Sequence, residues 1–292
     1  YRDELARELP EVDAFVGVNQ YGKIVDIVNR MFEGEHIAEF VERAALPLGR
    51  VRTTPKHLAY VRIAEGCDHA CAYCAIPSIR GPYRSRPMEE IVEECKQLIA
   101  DGVKEIVLIA QDTSYYGKDL YGDFCLSKLL LKIDTLGAQW VRILYAYPER
   151  ITDELLSTIV KSKSILPYLD LPLQHVNDEI LRAMGRPTTQ KKLRELLAKI
   201  HDTGKEFTLR TTFITGFPGE TSEQFEELAD FVKQGYFSHV GAFAYSKEEG
   251  TRAAKMPNQI PKRTKEGRRG QLLLAQQPIS KAYMQKAVGQ IK

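Results

Sequence analysis

LAYVRIAEGCDHACAYC, residues 58–74, decides the reading of this chain. Its first half, residues 58–64, is a short apolar run of the kind that forms a buried strand. Its second half sets Cys67, Cys71 and Cys74 in a C-x3-C-x2-C spacing, with Tyr73 directly before the third cysteine. Three thiolates from one short loop can hold three corners of a cubane iron–sulfur cluster. The fourth iron then has no protein ligand, and an open coordination position is where a small molecule can be activated. Two other uses of the trio are weaker. Structural zinc takes four closed ligands, and the nearby fourth donor, His69, lies between two of the cysteines on the same tight loop. A disulfide would strand one thiol, and no signal peptide points to an oxidising compartment, so the expected location is the cytoplasm.

Outward from this stretch, apolar runs alternate with amphipathic helical patterns. The expected strands are residues 58–64, 105–110, 140–146, 168–173, 207–215 and 239–245. Helical patterns fill the gaps, and several end in glycine (Gly102, Gly137, Gly204, Gly235), a common helix stop. The strands read as continuous apolar runs, as parallel strands covered by helices do. Six β-α repeats with right-handed crossovers predict an α/β fold, a partial six-stranded (β/α) barrel. Six strands are too few for eight-fold closure, so a lateral opening is expected, with chemistry at the C-terminal strand ends. The cysteine loop starts where the first strand stops.

Three segments are expected: residues 1–50, the tail of another domain plus a linker; residues 51–250, the partial barrel; and residues 251–292, a basic helical segment. The first holds a helix, a strand (residues 14–18) and a second helix, too little to bury a core of its own. The last carries ten Lys or Arg against one acid, Glu266, so the rest of the chain sums to −7 within a net charge of +2. A basic end on an acidic body is either a solvated helix face or a surface for RNA or a ribosome. No apolar run approaches the roughly 18 residues that span a bilayer. Cys95 and Cys125 are isolated and read as small buried side chains.

The remaining strand ends supply the other candidates. Gln111, Asp112 and Thr113 follow the second strand; Asp170, Gln174 and His175 lie in or after the fourth; Arg210 lies in the fifth, which runs into Gly216, Gly219 and Glu220. His175 reads as a satisfied polar residue and Glu220 as part of a helix start. Arg210, in a strand that reads as buried, needs an anionic partner, and a carboxylate on a bound cofactor would serve. Neither a Ser-His-Asp arrangement nor an H-E-x-x-H pattern is present.

This cysteine loop, after the first strand of a six-fold βα repeat, resembles that of the radical S-adenosylmethionine (SAM) enzymes. Residues 65–87 (EGCDHACAYCAIPSIRGPYRSRP), 110–117 (AQDTSYYG), 211–221 (TTFITGFPGET) and 243–254 (FAYSKEEGTRAA) resemble the methylthiotransferases of that superfamily. The run Gln174-His175-Val176, where the transfer-RNA branch has Gln-Ser-Gly, resembles the ribosomal-protein branch. The resemblance implies a [4Fe-4S] cluster on Cys67, Cys71 and Cys74, and SAM cleaved there to a 5′-deoxyadenosyl radical. It further implies methylthiolation of the β-carbon of an aspartate in a small-subunit ribosomal protein, protein twelve, and an electron donor as partner. Gln111, Gln174, Arg210 and Gly216 are the expected SAM pocket, with Tyr73 packed against the cofactor. A second [4Fe-4S] cluster belongs, in that family, to an N-terminal domain whose three cysteines this chain lacks. A transfer-RNA adenosine methylthiotransferase and a zinc-stabilised RNA- or ribosome-binding module remain the alternatives.

Overall fold

In the computed structural model, which describes residues 2–18, 20–40, 51 and 53–290, all six apolar runs are strands. They are β1 (Leu58–Arg62), β2 (Glu105–Ile109), β3 (Trp140–Ile143), β4 (Tyr168–Asp170), β5 (Thr208–Thr215) and β6 (His239–Ala244). β1, β2 and β3 form one parallel sheet, with Leu58 opposite Glu105 and Glu105 opposite Trp140. β4, β5 and β6 form another, with Asp170 opposite Arg210 and Arg210 opposite His239. A single parallel bridge, Val141 to Ile165, links the two and keeps the spatial order equal to the chain order.

The crossovers carry α1 (Met88–Ala100), α2 (Leu126–Asp134), α3 (Asp153–Lys161), α4 (Asp178–Ala183), α5 (Gln190–Asp202) and α6 (Ser222–Lys233); α7 (Lys262–Ala287) follows β6. The starts of α3, α4, α5 and α6 are capped by short polar side chains that accept from exposed backbone amides. Thr152 caps α3, Asn177 caps α4 and Thr189 caps α5. Gly102, Gly137, Gly204 and Gly235 all have positive φ, as expected at helix stops.

One expectation needs refining. The strands are not buried on both faces. Along β5, Leu209, Thr211, Phe213 and Thr215 are buried, while Thr208, Arg210, Thr212 and Ile214 are half-exposed. The buried set joins one core with Leu197, Leu228, Phe231 and Leu272 from the helices, and Val61, Ile106, Leu108 and Val141 do the same on the first sheet. The alternate face carries Arg62, Glu105, Arg142 and Arg210, polar residues that a closed apolar core would exclude.

Sequence periodicity missed the short elements. Ala64–Glu65 pairs antiparallel with Arg84–Ser85 and closes the cysteine loop at its base. Ile76–Arg80 and Lys118–Tyr121 are single helical turns. Within the expected basic segment 251–292, α7 covers residues 262–287 and runs through Pro278. It packs on α6, β5 and β6, and Gln276 and Ser280 bond the Ser238 carbonyl.

The chain divides into two compact units, residues 1–53 with 78–81, and the remainder. In the first, Arg2–Glu8 and Ile24–Phe32 are helices and Ala14–Val16 is a strand, as expected. A second strand, Ile37–Glu39, pairs parallel with it, and Ile27 and Ile37 are buried. The expected linker stretch 41–50 and the final residues 291–292 lie outside the described residues.

Cys95 and Cys125 are buried as expected. Burial pushes the Cys95 thiol up to about 12, and only a thiolate alkylates readily. In native protein at pH 8, Cys95 should therefore stay unmodified by iodoacetamide and react on unfolding. Mass spectrometry of tryptic peptides with and without denaturant checks this.

Candidate active site

The loop after β1 is held by backbone contacts, not only by its own sequence. The Ala72 amide donates to the Met184 carbonyl at 2.8 Å, and the Ala253 amide donates to the Ala72 carbonyl at 2.8 Å. Arg252 Nη2 donates to the Ala70 carbonyl at 2.9 Å, and Asp68 accepts from the Tyr83 amide at 2.9 Å. Gly185 permits this docking, because a Cβ there would lie 2.7 Å from the Ala70 oxygen. The loop is thus pinned by the end of α4 and by the segment after β6.

Cys67 and Cys71 are buried and Cys74 is half-buried. Burial pushes the Cys67 thiol up to about 11, and the neighbouring Cys71 and Cys74 add to the rise. Burial also raises Cys74. Among the described residues no group of three or more His, Cys, Asp or Glu side chains already stands at metal-holding spacing. The donor chemistry nevertheless fits an iron–sulfur cluster: three soft sulfur donors share one pinned loop.

His69 faces elsewhere. Its Nε2 lies 2.9 Å from Asp112 Oδ2 and 2.7 Å from Arg150 Nη1, and its ring stacks on Tyr147 with centroids 3.8 Å apart. Arg150 also pairs directly with Asp112. A histidine committed to this network is a poor fourth zinc ligand. The Tyr147 hydroxyl lies 3.6 Å from Cys71 Sγ. Burial, and then the Cys71 thiol, push the Tyr73 phenol up.

The strand ends place the other expected residues as follows. Gln111, after β2, donates to Glu65 at 3.0 Å, while its Oε1 is buried without a partner. Arg210 finds its anion within the protein, Asp170 Oδ1 at 2.8 Å on the adjacent strand. Asp170 Oδ2 has no partner, and burial pushes this carboxyl up against the pull of Arg210. Gln174 has φ +70° and bridges to Phe213. Gly216 also has φ +70° and lies beneath the Lys265 side chain.

Glu220 does not cap α6, because Thr221 does, in a reciprocal box with Gln224. Glu220 is instead buried, accepting from Arg268 Nη1 at 2.7 Å and from the Gly216 amide, beside His175 Nε2 at 3.2 Å. His175 Nδ1 accepts from the Asn177 amide at 3.0 Å, so this histidine is satisfied, as expected. Part of the basic segment is therefore internal: Arg268 is buried, whereas Lys262, Arg263 and Arg269 are exposed.

Sequence reasoning missed Tyr145, Tyr147, Arg150, Arg186 and Arg252, all in connecting segments. Tyr145 has φ +55° just past β3. A non-glycine residue held there costs about 1–3 kcal/mol, which marks a place the fold over-determines. Among the described residues, six buried polar side-chain atoms lack partners. Five of them, on Gln111, Asp170, Arg186 and Tyr245, lie past the C-terminal strand ends or in the last turn of β4. Buried polar atoms are normally satisfied, so this concentration suits a polar ligand.

Residues 61–232 match the radical SAM superfamily. The chain is 47% identical, over 99% of its length, to the ribosomal protein uS12 methylthiotransferase RimO of Desulforamulus reducens, covering 66% of that protein. It is 46% identical over its full length to the same protein of Gloeobacter violaceus, covering 68%. It thus spans about two thirds of the length of these relatives. Among solved structures it resembles the radical SAM methyltransferase TsrM of Kitasatospora setae (TM-score 0.53, 17% identity, 64% of this chain and 36% of that one). It also resembles coproporphyrinogen III oxidase HemN of Escherichia coli (TM-score 0.51, 18% identity, 79% and 52%); at such identities only the fold is shared. The chain belongs to the radical SAM superfamily and, within it, to the family of the ribosomal protein uS12 methylthiotransferases.

Removing one partner of a buried ion pair leaves the other charge uncompensated, at a cost of about 3–5 kcal/mol. Arg268→Met should lower unfolding stability by about that amount, and adding Glu220→Gln should recover part of it. Urea unfolding of the single and double variants measures both.

Proposed function

We propose that this chain is the radical-generating core of a uS12 methylthiotransferase, acting on the β-carbon of an aspartate in that ribosomal protein. The observation that carries the reading is the thiol loop pinned at the C-terminal ends of a six-stranded partial barrel. Cys67, Cys71 and Cys74 would hold a [4Fe-4S] cluster. When bound, the cluster supplies an open iron for SAM and one electron for its reductive cleavage to methionine and a 5′-deoxyadenosyl radical.

The protein's own groups supply binding and orientation. Gln111 Oε1 and Asp170 Oδ2, unpartnered and buried, can accept hydrogen bonds from amino or hydroxyl groups of SAM. Arg210 pairs with Oδ1 of Asp170, the arrangement that leaves Oδ2 free. The left-handed backbone at Gln174 and Gly216 shapes the floor of the pocket, and Tyr73, beside Cys71, packs against the cofactor. The half-exposed alternate face of the strands leaves room for a protein substrate.

In this reading residues 1–50 are the tail of a further domain with its own [4Fe-4S] cluster, residues 51–250 are the radical core, and residues 251–292 lead toward a substrate-binding domain. The exposed Lys262, Arg263 and Arg269 suit contact with ribosomal RNA. A low-potential one-electron donor and a cytoplasmic location complete the proposal. Among the described residues no helix is long and apolar enough to cross a membrane.

Anaerobic reconstitution should load about four irons per chain, with broad visible absorption. Dithionite and SAM should then yield 5′-deoxyadenosine, and Cys71→Ala should abolish both. A colourless protein holding one zinc would instead select the binding module. Mass spectrometry of uS12 and transfer RNA from a deletion strain should find the methylthio group lost from uS12 alone; loss from transfer RNA would reassign the substrate.

A further inference from the structure

Arg186 lies just past α4 and is only 3% exposed, yet its Nε and Nη1 have no partner. Nη2 donates to the Pro172 carbonyl at 3.2 Å and lies 3.8 Å from Glu149 Oε1, a long contact for a buried cation. The guanidinium sits 4.0 Å from the centroid of the Tyr147 ring. His69 stacks on the same ring at 3.8 Å with planes 3° apart. Two groups so close to one centroid must occupy opposite faces, so His69, Tyr147 and Arg186 form three layers. The middle layer carries the hydroxyl that lies 3.6 Å from Cys71 Sγ.

A buried guanidinium with two open donors needs an anion. Two other open strand-end atoms, Gln111 Oε1 and Asp170 Oδ2, are acceptors and suit the amino and hydroxyl groups of SAM. The Arg186 charge is felt at Tyr147, Tyr73 and Cys71, on the thiol side. Its positive charge therefore stands behind one sulfur corner of the loop.

We propose that Arg186, seated on Tyr147, is a positioning residue for the cluster at Cys71, its charge and the Tyr147 hydroxyl raising the cluster's midpoint potential. This rests on the reading of Cys67, Cys71 and Cys74 as cluster ligands. Charge and hydrogen bonds near the sulfurs are established levers on such potentials. Positive charge favours the reduced, more negative state, so removing it makes reduction harder. Arg186→Gln should lower the ratio of reduced to oxidised cluster at fixed potential about tenfold, a shift of about 59 mV for one electron. Tyr147→Phe should shift it the same way by a smaller factor, and Arg186→Lys should retain most of the wild-type value.

The test is an anaerobic redox titration of the reconstituted chain followed by electron paramagnetic resonance. Iron content and the visible spectrum are measured first on wild type. A wild-type chain that assembles no cluster overturns the underlying reading, and this inference with it. Wild-type loading with Arg186→Gln and Tyr147→Phe titrating within a factor of two of wild type overturns this inference alone. If Arg186→Gln fails to fold, Tyr147→Phe decides, since it removes a single oxygen: a lower potential supports the proposal and an unchanged one overturns it. SAM binding, followed by calorimetry, separates the other anion: an unchanged potential with tenfold weaker SAM binding overturns it in favour of the SAM carboxylate.

Discussion

Both polar groups of the Ala72 backbone are bonded to segments far along the chain, the amide to Met184 and the carbonyl to Ala253. Everything that distinguishes the thiol loop follows from that clamp. Ala72 and Tyr73 pack into a small apolar cluster with Ile180, Met184, Phe217 and Tyr245, but so short a loop would otherwise sample many conformations, each fixed residue costing about 1–2 kcal/mol of entropy. The two three-stranded sheets supply a rigid frame, and the end of α4 and the segment after β6 bond the loop. Gly185 is the point of closest approach, where any side chain would collide with the Ala70 oxygen. The loop is therefore ordered by tertiary contacts, which hold its backbone in place.

Buried charge is arranged on both flanks of this clamp. On one side Asp112 gathers Arg150 and His69; on the other Glu220 gathers Arg268, His175 and the Gly216 amide. Buried ion pairs contribute little net stability and more often specify one geometry. Here each set ties a strand end to an element packed beside it: the Asp112 set joins the end of β2 to the turn after β3. The Glu220 set joins the end of β5 to α7. The consequence for α7 is a division of labour along one helix. Arg268 and the base of Lys265 are spent inside, while Lys262, Arg263 and Arg269 remain at the surface. A charge count over residues 251–292 could not separate the two groups.

The legible part of the fold was the part with periodicity. Six strands and six crossover helices announce themselves because each buries a face repeatedly against its neighbours, and repetition is what a sequence pattern records. The two-residue ladder of Ala64–Glu65 with Arg84–Ser85 carries no period and stayed hidden. The three cysteines were readable because their chemistry is concentrated in eight residues. Tyr147, Arg150, Arg186 and Arg252 were not, since they come from three separate connections, Tyr147 and Arg150 sharing the one after β3, and only the assembled sheet brings them together. Glu220 was misread for a related reason: its neighbour Thr221 carries the cap, and burial of the glutamate depends on Arg268, distant in sequence.

The open face of the sheet completes the logic. A closed eight-stranded barrel fills its interior with branched apolar side chains, whereas here β5 alternates buried residues with half-exposed ones. The half-exposed set includes Arg210, which is anchored to Asp170, so the inner face is polar and already partly satisfied. Tyr145 and Gln174 hold positive φ just past the ends of β3 and β4, and β4 ends on Asp170 with its unpartnered oxygen. Strain, unpartnered polar atoms and an open polar face thus coincide at one end of the sheet.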